Sequence, residues 1–98
     1  MNTLSHIVPP KTRGEILGIT RRYGLTNVRV FGSVVRGEMD EKSDLDLLVL
    51  PGPGFTLLKQ AALVRELEGL IGRRVDVVSE RGLRPRIRDR VLKEAVPL

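Results

Sequence analysis

Apolar residues recur at helical spacing in three parts of the chain. This spacing predicts helices over residues 11–23 and 56–71, and a basic helix over residues 83–95 that Pro85 interrupts early. Gly72 is a plausible C-terminal cap for the 56–71 helix. The stripe of that helix expected to face the core is Leu57, Ala61, Val64, Leu67 and Ile71.

Short apolar runs between these helices predict β-strands. Residues 27–31 form the first strand, residues 45–50 the second and residues 74–78 the third. A turn and a short helix are expected over residues 32–37. Helices that alternate with strands in a chain of 98 residues indicate one α/β domain, residues 1–98, with a small sheet.

Two segments are expected to lie outside the regular elements. Residues 1–10 form a leader, because Pro9 and Pro10 resist early helix formation. Residues 38–43 form a polar loop. The single histidine, His6, lies in the leader, and we expect it to be exposed to solvent.

Composition and charge narrow the class of protein. The absence of cysteine excludes a disulfide framework and a thiolate metal site, and it fits a reducing compartment. No apolar run approaches the roughly 20 residues that span a bilayer, and the first eleven residues lack the pattern of a signal peptide. We therefore expect a cytoplasmic protein. The net charge of +5 favours polyphosphates, nucleic acid or an acidic partner, without choosing among them.

Three aspartates follow a pattern that predicts a metal site. Asp44 and Asp46 share one face of the second strand, because side chains alternate across a strand. If the third strand lies beside it in alignment, Asp76 joins them. Three neighbouring carboxylates repel one another unless a cation neutralises them, and all-oxygen ligands suit Mg²⁺ or Mn²⁺. Two such ions can stabilise both oxygens of a phosphoryl or nucleotidyl transfer.

A second group of residues predicts a phosphate cradle. Gly32 permits close approach to the backbone, and Ser33 offers its hydroxyl and N–H at the start of a short helix. Arg36 lies three residues further along, on the same side of that helix. Each piece has a plain structural interpretation as well: a D-x-D is often a loop edge, a G-S is often a turn, and Asp76 could be an edge-strand charge.

These residues resemble a known family. Residues 30–37, Val-Phe-Gly-Ser-Val-Val-Arg-Gly, and residues 43–49, Ser-Asp-Leu-Asp-Leu-Leu-Val, are similar to the minimal nucleotidyltransferase (MNT) domain of the DNA polymerase β superfamily. Residues 75–78 match its third-carboxylate strand, and residues 92–98 are similar to the tails of MNT antitoxins paired with HEPN-domain toxins. The resemblance implies a polymerase β-like fold, with a small mixed sheet flanked by helices.

The resemblance also implies an activity. Gly32 and Ser33 would hold the triphosphate of ATP, Asp44 and Asp46 would bind both metal ions, and Asp76 would complete one metal site. Asp76 would also help to deprotonate the acceptor hydroxyl. The implied reaction is transfer of AMP from ATP, with Mg²⁺, to a tyrosine of a HEPN toxin. The chain would thus act as the antitoxin of a toxin–antitoxin pair.

Two other functions remain open at this point. The same aspartates could serve nucleotidyl transfer to a small molecule, such as an aminoglycoside, although no length is left for an acceptor domain. Alternatively, the chain could neutralise a toxin by binding alone, or bind nucleic acid through its basic last helix; nucleic acid is the less favoured partner. Because nothing beyond the catalytic core would hold an acceptor, we expect a second protein chain or a homo-oligomer to complete the site.

Overall fold

The computed structural model describes residues 8–38, 40 and 42–98. His6 and residues 1–7 of the expected leader lie outside the described residues, as do Met39 and Glu41 of the polar loop. In chain order the elements are α1 (Pro10–Arg22), β1 (Leu25–Phe31), α2 (Ser33–Arg36), β2 (Leu45–Pro51), α3 (Leu57–Ile71), β3 (Val75–Ser79), a 3₁₀ helix (Glu80–Gly82), α4 (Pro85–Glu94) and β4 (Val96–Pro97).

The four strands form one mixed sheet in the order β3-β2-β1-β4. Strand β1 is antiparallel to both β2 and β4, whereas β2 and β3 are parallel. The parallel pair is connected through α3, which is the crossover that parallel strands require. The predicted small mixed sheet with flanking helices is therefore confirmed.

The core lies on one face of this sheet. Alternation along β2 directs Leu45, Leu47 and Val49 towards that face, where all three are buried. Helices α1 and α3 cover it with Ile16 and with Leu63 and Leu67, which are fully buried. The opposite face of β2 is thereby left to Asp46 and Leu48.

The predicted apolar stripe of α3 is wrong at its start. Leu57 is 84% exposed and Ala61 is exposed, whereas Leu63 and Leu67 are the buried residues of the helix. Val64 and Ile71 pack partly buried against the core, as expected. The physical reason is that α3 is apolar on more than one side, so its periodicity alone does not select the face that meets the sheet.

Both ends of the described chain also differ from the sequence prediction. Helix α1 begins at Pro10, so the expected leader ends earlier than predicted. Pro85 begins α4 instead of interrupting it, because proline fits the first turn of a helix. The sequence did not predict β4, which pairs with β1 through Val96 and Pro97.

Among the described residues, no helix has both the length and the apolar character needed to cross a lipid bilayer.

Candidate active site

Two of the predicted aspartates lie side by side on neighbouring strands. The parallel register of β2 and β3 pairs Asp46 with Asp76, and the antiparallel register of β1 and β2 pairs Phe31 with Asp46. Since Leu45 and Leu47 face the core, Asp46 faces the opposite side of the sheet. Asp76 lies on that side too, because Val75 and Val77 are buried in the core. The third strand thus lies beside the second in the alignment that brings Asp76 next to Asp46.

The surroundings of the Asp46 carboxyl group disfavour its ionised form. Partial burial, followed by the negative charges of Asp76 and Asp44, raises its pKa to about 6. The positive charge of Arg36 acts in the opposite direction. A carboxyl group in this environment is best ionised when a cation lies beside it.

Asp44 precedes β2 and makes a different contact from the other two aspartates. Its Oδ1 lies 3.6 Å from Nε of the exposed Arg74. Across residues 8–38, 40 and 42–98, no three His, Asp or Glu side chains converge closely enough to hold a metal ion. The donor set nevertheless fits a hard divalent cation, because Asp44, Asp46 and Asp76 offer only carboxylate oxygens and crowd one another enough to raise a pKa.

The Gly32–Ser33 turn leads from β1 into the four-residue helix α2. Gly32 has φ +83° and ψ −152°, a conformation that is essentially restricted to glycine. Its carbonyl accepts hydrogen bonds from the N–H groups of Val35 and Arg36, and Gly37 ends the helix in the left-handed region. The sequence prediction of a turn and a short helix is therefore confirmed.

The turn and the acidic strand meet directly. A Cβ atom on Gly32 would lie 2.3 Å from Oδ2 of Asp46, so any side chain at this position would have to displace the Asp46 carboxylate. The predicted phosphate cradle and the predicted metal ligands therefore belong to one site, on the face of the sheet opposite the core helices.

Two groups of this turn could contact an anion. The N–H of Ser33 has no hydrogen-bond acceptor among the described residues, whereas Val34 is buried, with only 1% of its surface exposed. The Arg36 guanidinium donates to Glu38 from Nε and to Glu94 from Nη1, both at 2.7 Å. The two N–H bonds of its Nη2 and the second of Nη1 remain available, because arginine carries five donors in all.

Sequence reasoning missed two residues that shape this site. Glu94, at the end of α4, accepts hydrogen bonds from Gly32 N–H and from Arg36. Arg73 donates from Nη1 to the carbonyls of Asp40 and Ser43, in the loop that leads to Asp44. The only signal in the sequence for Glu94 is its place as an acidic residue at the end of a helix that carries more basic than acidic residues.

Comparison with known proteins shows the family of the chain. Residues 14–98 match the family described as "Nucleotidyltransferase domain". The protein adenylyltransferase MntA of Thermococcus cleftensis is 44% identical over 78 residues, which cover 80% of this chain and 79% of that protein. A solved protein, provisionally described as a minimal nucleotidyltransferase, is 53% identical with a TM-score of 0.83; the match covers 100% of this chain and 97% of that one.

Two solved toxin–antitoxin complexes share the fold at lower identity. One, with AMP-PNP, is 22% identical with a TM-score of 0.75, and the match covers 87% of this chain and 70% of that chain. The other contains tri-AMPylated Shewanella oneidensis HEPN toxin with an MNT antitoxin; it is 20% identical with a TM-score of 0.67, covering 87% of this chain and 66% of that chain. At these identities the likeness shows the fold alone.

Proposed function

Because the chain belongs to the nucleotidyltransferase domain family, we propose that it transfers AMP from ATP to a tyrosine hydroxyl of a HEPN-domain toxin and thereby acts as an antitoxin. The observation that carries the proposal is the pairing of Asp46 with Asp76 next to the Gly32 turn. The adenylyltransferase name of the Thermococcus cleftensis relative and the AMPylated HEPN complex of the structural relative support the choice of donor and acceptor.

In this proposal the three aspartates hold two Mg²⁺ ions, with Mn²⁺ as an alternative. Asp44 and Asp46 would bind both ions, and Asp76 would complete one site and help to accept the proton of the attacking hydroxyl, while pyrophosphate leaves the α-phosphorus. When bound, the ions supply charge stabilisation at the entering and leaving oxygens of the transfer. Asp44 must turn from Arg74 to take part, which costs little because that pair is exposed.

The polyphosphate of ATP lies on the Gly32–Ser33 turn in the same proposal. Gly32 lets the nucleotide approach the backbone, because no side chain stands in the way. Ser33 donates its N–H and hydroxyl, and Arg36 donates through the guanidinium protons that Glu38 and Glu94 leave free.

The cysteine-free composition fits a reaction in the reducing cytoplasm.

AMP transfer can be tested with α-labelled ATP, Mg²⁺ and a HEPN-domain protein encoded beside this chain. We expect label on the HEPN protein, at tyrosine, and its loss on chelation of Mg²⁺. The variants Asp46→Asn and Asp76→Asn should label at least about 100-fold more slowly, because each removes a charge from the reacting centre. Asp89→Asn is the matched control, since Asp89 is an exposed aspartate of α4 without a place in the site.

Three outcomes would contradict the proposal in different ways. No label on the HEPN protein, or equal labelling by the Asp44→Asn, Asp46→Asn double variant, rejects AMP transfer by this site. Label on a small molecule without a protein partner indicates the small-molecule nucleotidyltransferase instead. Full neutralisation of the toxin by the double variant indicates an antitoxin that acts by binding alone.

A further inference from the structure

The last residues of the chain bring one carboxylate, that of Glu94, to the Gly32–Ser33 turn. Strand β4 pairs Val96 with Val30 and Pro97 with Arg29, and Leu98 N–H donates to the carbonyl of Val28. Because α4 ends at Glu94, directly before β4, this pairing holds the end of the helix beside β1.

Both oxygens of the Glu94 carboxylate are used at that point. Oε2 accepts from Gly32 N–H at 2.9 Å, and Oε1 accepts from Arg36 Nη1 at 2.7 Å. The side chain is only 16% exposed. Burial acts to raise the pKa of Glu94, but its hydrogen bonds with Arg36 and with Gly32 N–H outweigh that effect and lower it. Glu94 is thus an ionised group that links α4 to both halves of the turn.

We propose that Glu94 is a positioning residue for the nucleotide: it fixes the Gly32 turn and orients the Arg36 guanidinium towards the polyphosphate of ATP. This inference rests on the proposed function of the site. The physical reason is pre-organisation, because an arginine already held by a charged hydrogen bond has less side-chain freedom to lose when it binds phosphate. Glu94 itself touches neither substrate nor metal.

The same contacts could have the opposite effect on the nucleotide. A carboxylate on Gly32 N–H and Arg36 occupies donors that a phosphate could use, so Glu94 could compete with ATP. The donors that remain favour positioning: among the described residues, three N–H bonds of Arg36 and the N–H of Ser33 have no acceptor. The two effects predict opposite changes in ATP affinity.

The test compares Glu94→Ala and Glu94→Gln in the full chain. ATP binding is measured on the chain alone with Mg²⁺, and KM and kcat are measured with the HEPN protein. We expect Glu94→Ala to weaken ATP binding and raise the KM for ATP about 10- to 100-fold, the range of a lost charged hydrogen bond, with a smaller effect on kcat. Glu94→Gln should lie between, since one amide oxygen can still accept from one of the two donors.

A matched control separates positioning from folding. Glu80 also pairs its carboxylate with an arginine, Arg29, and its side chain is 22% exposed. Glu80→Gln should lower the midpoint of thermal unfolding as Glu94→Gln does, and leave ATP affinity unchanged. If Glu94→Ala does not fold, Glu94→Gln alone decides, by its ATP affinity at a temperature where it is folded.

A double variant tests whether Glu94 acts through Arg36. In an Arg36→Ala background, the further change Glu94→Gln should weaken ATP binding by less than about threefold. Tighter ATP binding by Glu94→Ala or Glu94→Gln would overturn the inference in favour of competition. Fully additive effects with Arg36→Ala would overturn the orientation of Arg36 by Glu94 and leave only the Gly32 contact. Failure of the proposed function is distinguishable, because wild-type chain would then bind ATP without labelling the HEPN protein, or bind none.

Discussion

Gly32 lies directly against Asp46, so that a Cβ atom on the glycine would stand 2.3 Å from Oδ2 of the aspartate. The two residues are close because β1 ends at Phe31, whose partner across the sheet is Asp46. This contact joins the turn proposed to hold phosphate to the strand proposed to hold metal. A change on either side is therefore expected to disturb both functions.

Replacement of Gly32 by alanine should abolish activity and lower stability together. The backbone conformation of Gly32 costs alanine about 1–3 kcal/mol, and the new methyl group must also displace the Asp46 carboxylate. Because a misplacement of about 1 Å can cost about 100-fold in rate, we expect at least that loss in AMP transfer. Chemical denaturation and the labelling rate measure the two effects.

Gly37→Ala is the matched control for this prediction. Gly37 also has a positive φ, of +73°, but a Cβ atom there would meet nothing within 4 Å. The variant should lose about 1–2 kcal/mol of stability, the cost of a left-handed conformation, and keep its labelling rate when folded. Equal rate losses in Gly32→Ala and Gly37→Ala would show that backbone strain, and not the Asp46 contact, governs activity.

The raised pKa of Asp46 predicts a variant that is more stable than the wild type. Asp46 has a pKa of about 6 in the folded chain against 3.8 for the free group, so the folded state binds this proton more tightly. The resulting stabilisation is fully present below pH 3.8 and is lost as the pH rises to 6. Without divalent cations, Asp46→Asn should therefore unfold at a higher temperature than wild type above pH 6, and the difference should disappear below pH 3.8.

Two further measurements check the sign of this effect. Mg²⁺ should stabilise the wild type above pH 6 and stabilise Asp46→Asn less, because the amide cannot replace the carboxylate as a ligand. Asp40→Asn should behave oppositely, since hydrogen bonds from Lys42 N–H and Ser43 lower the pKa of Asp40 and make its ionised form stabilising. A wild type more stable than Asp46→Asn above pH 6 without metal would contradict the prediction.

The sequence predicted the relation between the acidic strands on the condition that β2 and β3 are neighbours in register. An unpaired charge inside an aliphatic strand is costly, which singles out Asp46, and Asp76 follows from its place between Val75 and Val77. Period-two alternation then assigns both to the face opposite the core, and the structure confirms the alignment. The metal and nucleotide roles of these residues remain predictions.

Contacts that depend on tertiary packing could not be predicted in the same way. Val96 and Pro97 are too few to give a strand signal, yet their pairing with β1 holds the end of α4 beside that strand. Likewise the periodicity of α3 predicted Leu57 on the buried face, whereas Leu63 and Leu67 meet the sheet. In both cases the deciding partner lies far away in the sequence.

Neighbouring arginines before β3 should differ in their importance for metal binding. Arg73 donates to the carbonyls of Asp40 and Ser43 at 2.8 and 2.9 Å and so holds the chain that leads to Asp44. Arg73→Ala should raise the Mg²⁺ concentration needed for half-maximal labelling several-fold. It should also lower the free energy of unfolding by about 1 kcal/mol. Arg74, which is 83% exposed, pairs with Asp44 at 3.6 Å. Arg74→Ala should therefore change the free energy of unfolding by less than about 1 kcal/mol. It should not raise the Mg²⁺ concentration needed for labelling, because it releases a carboxylate that the metal needs. If Arg74→Ala needs more Mg²⁺ for labelling than Arg73→Ala does, the ion pair, and not the loop, sets the position of Asp44.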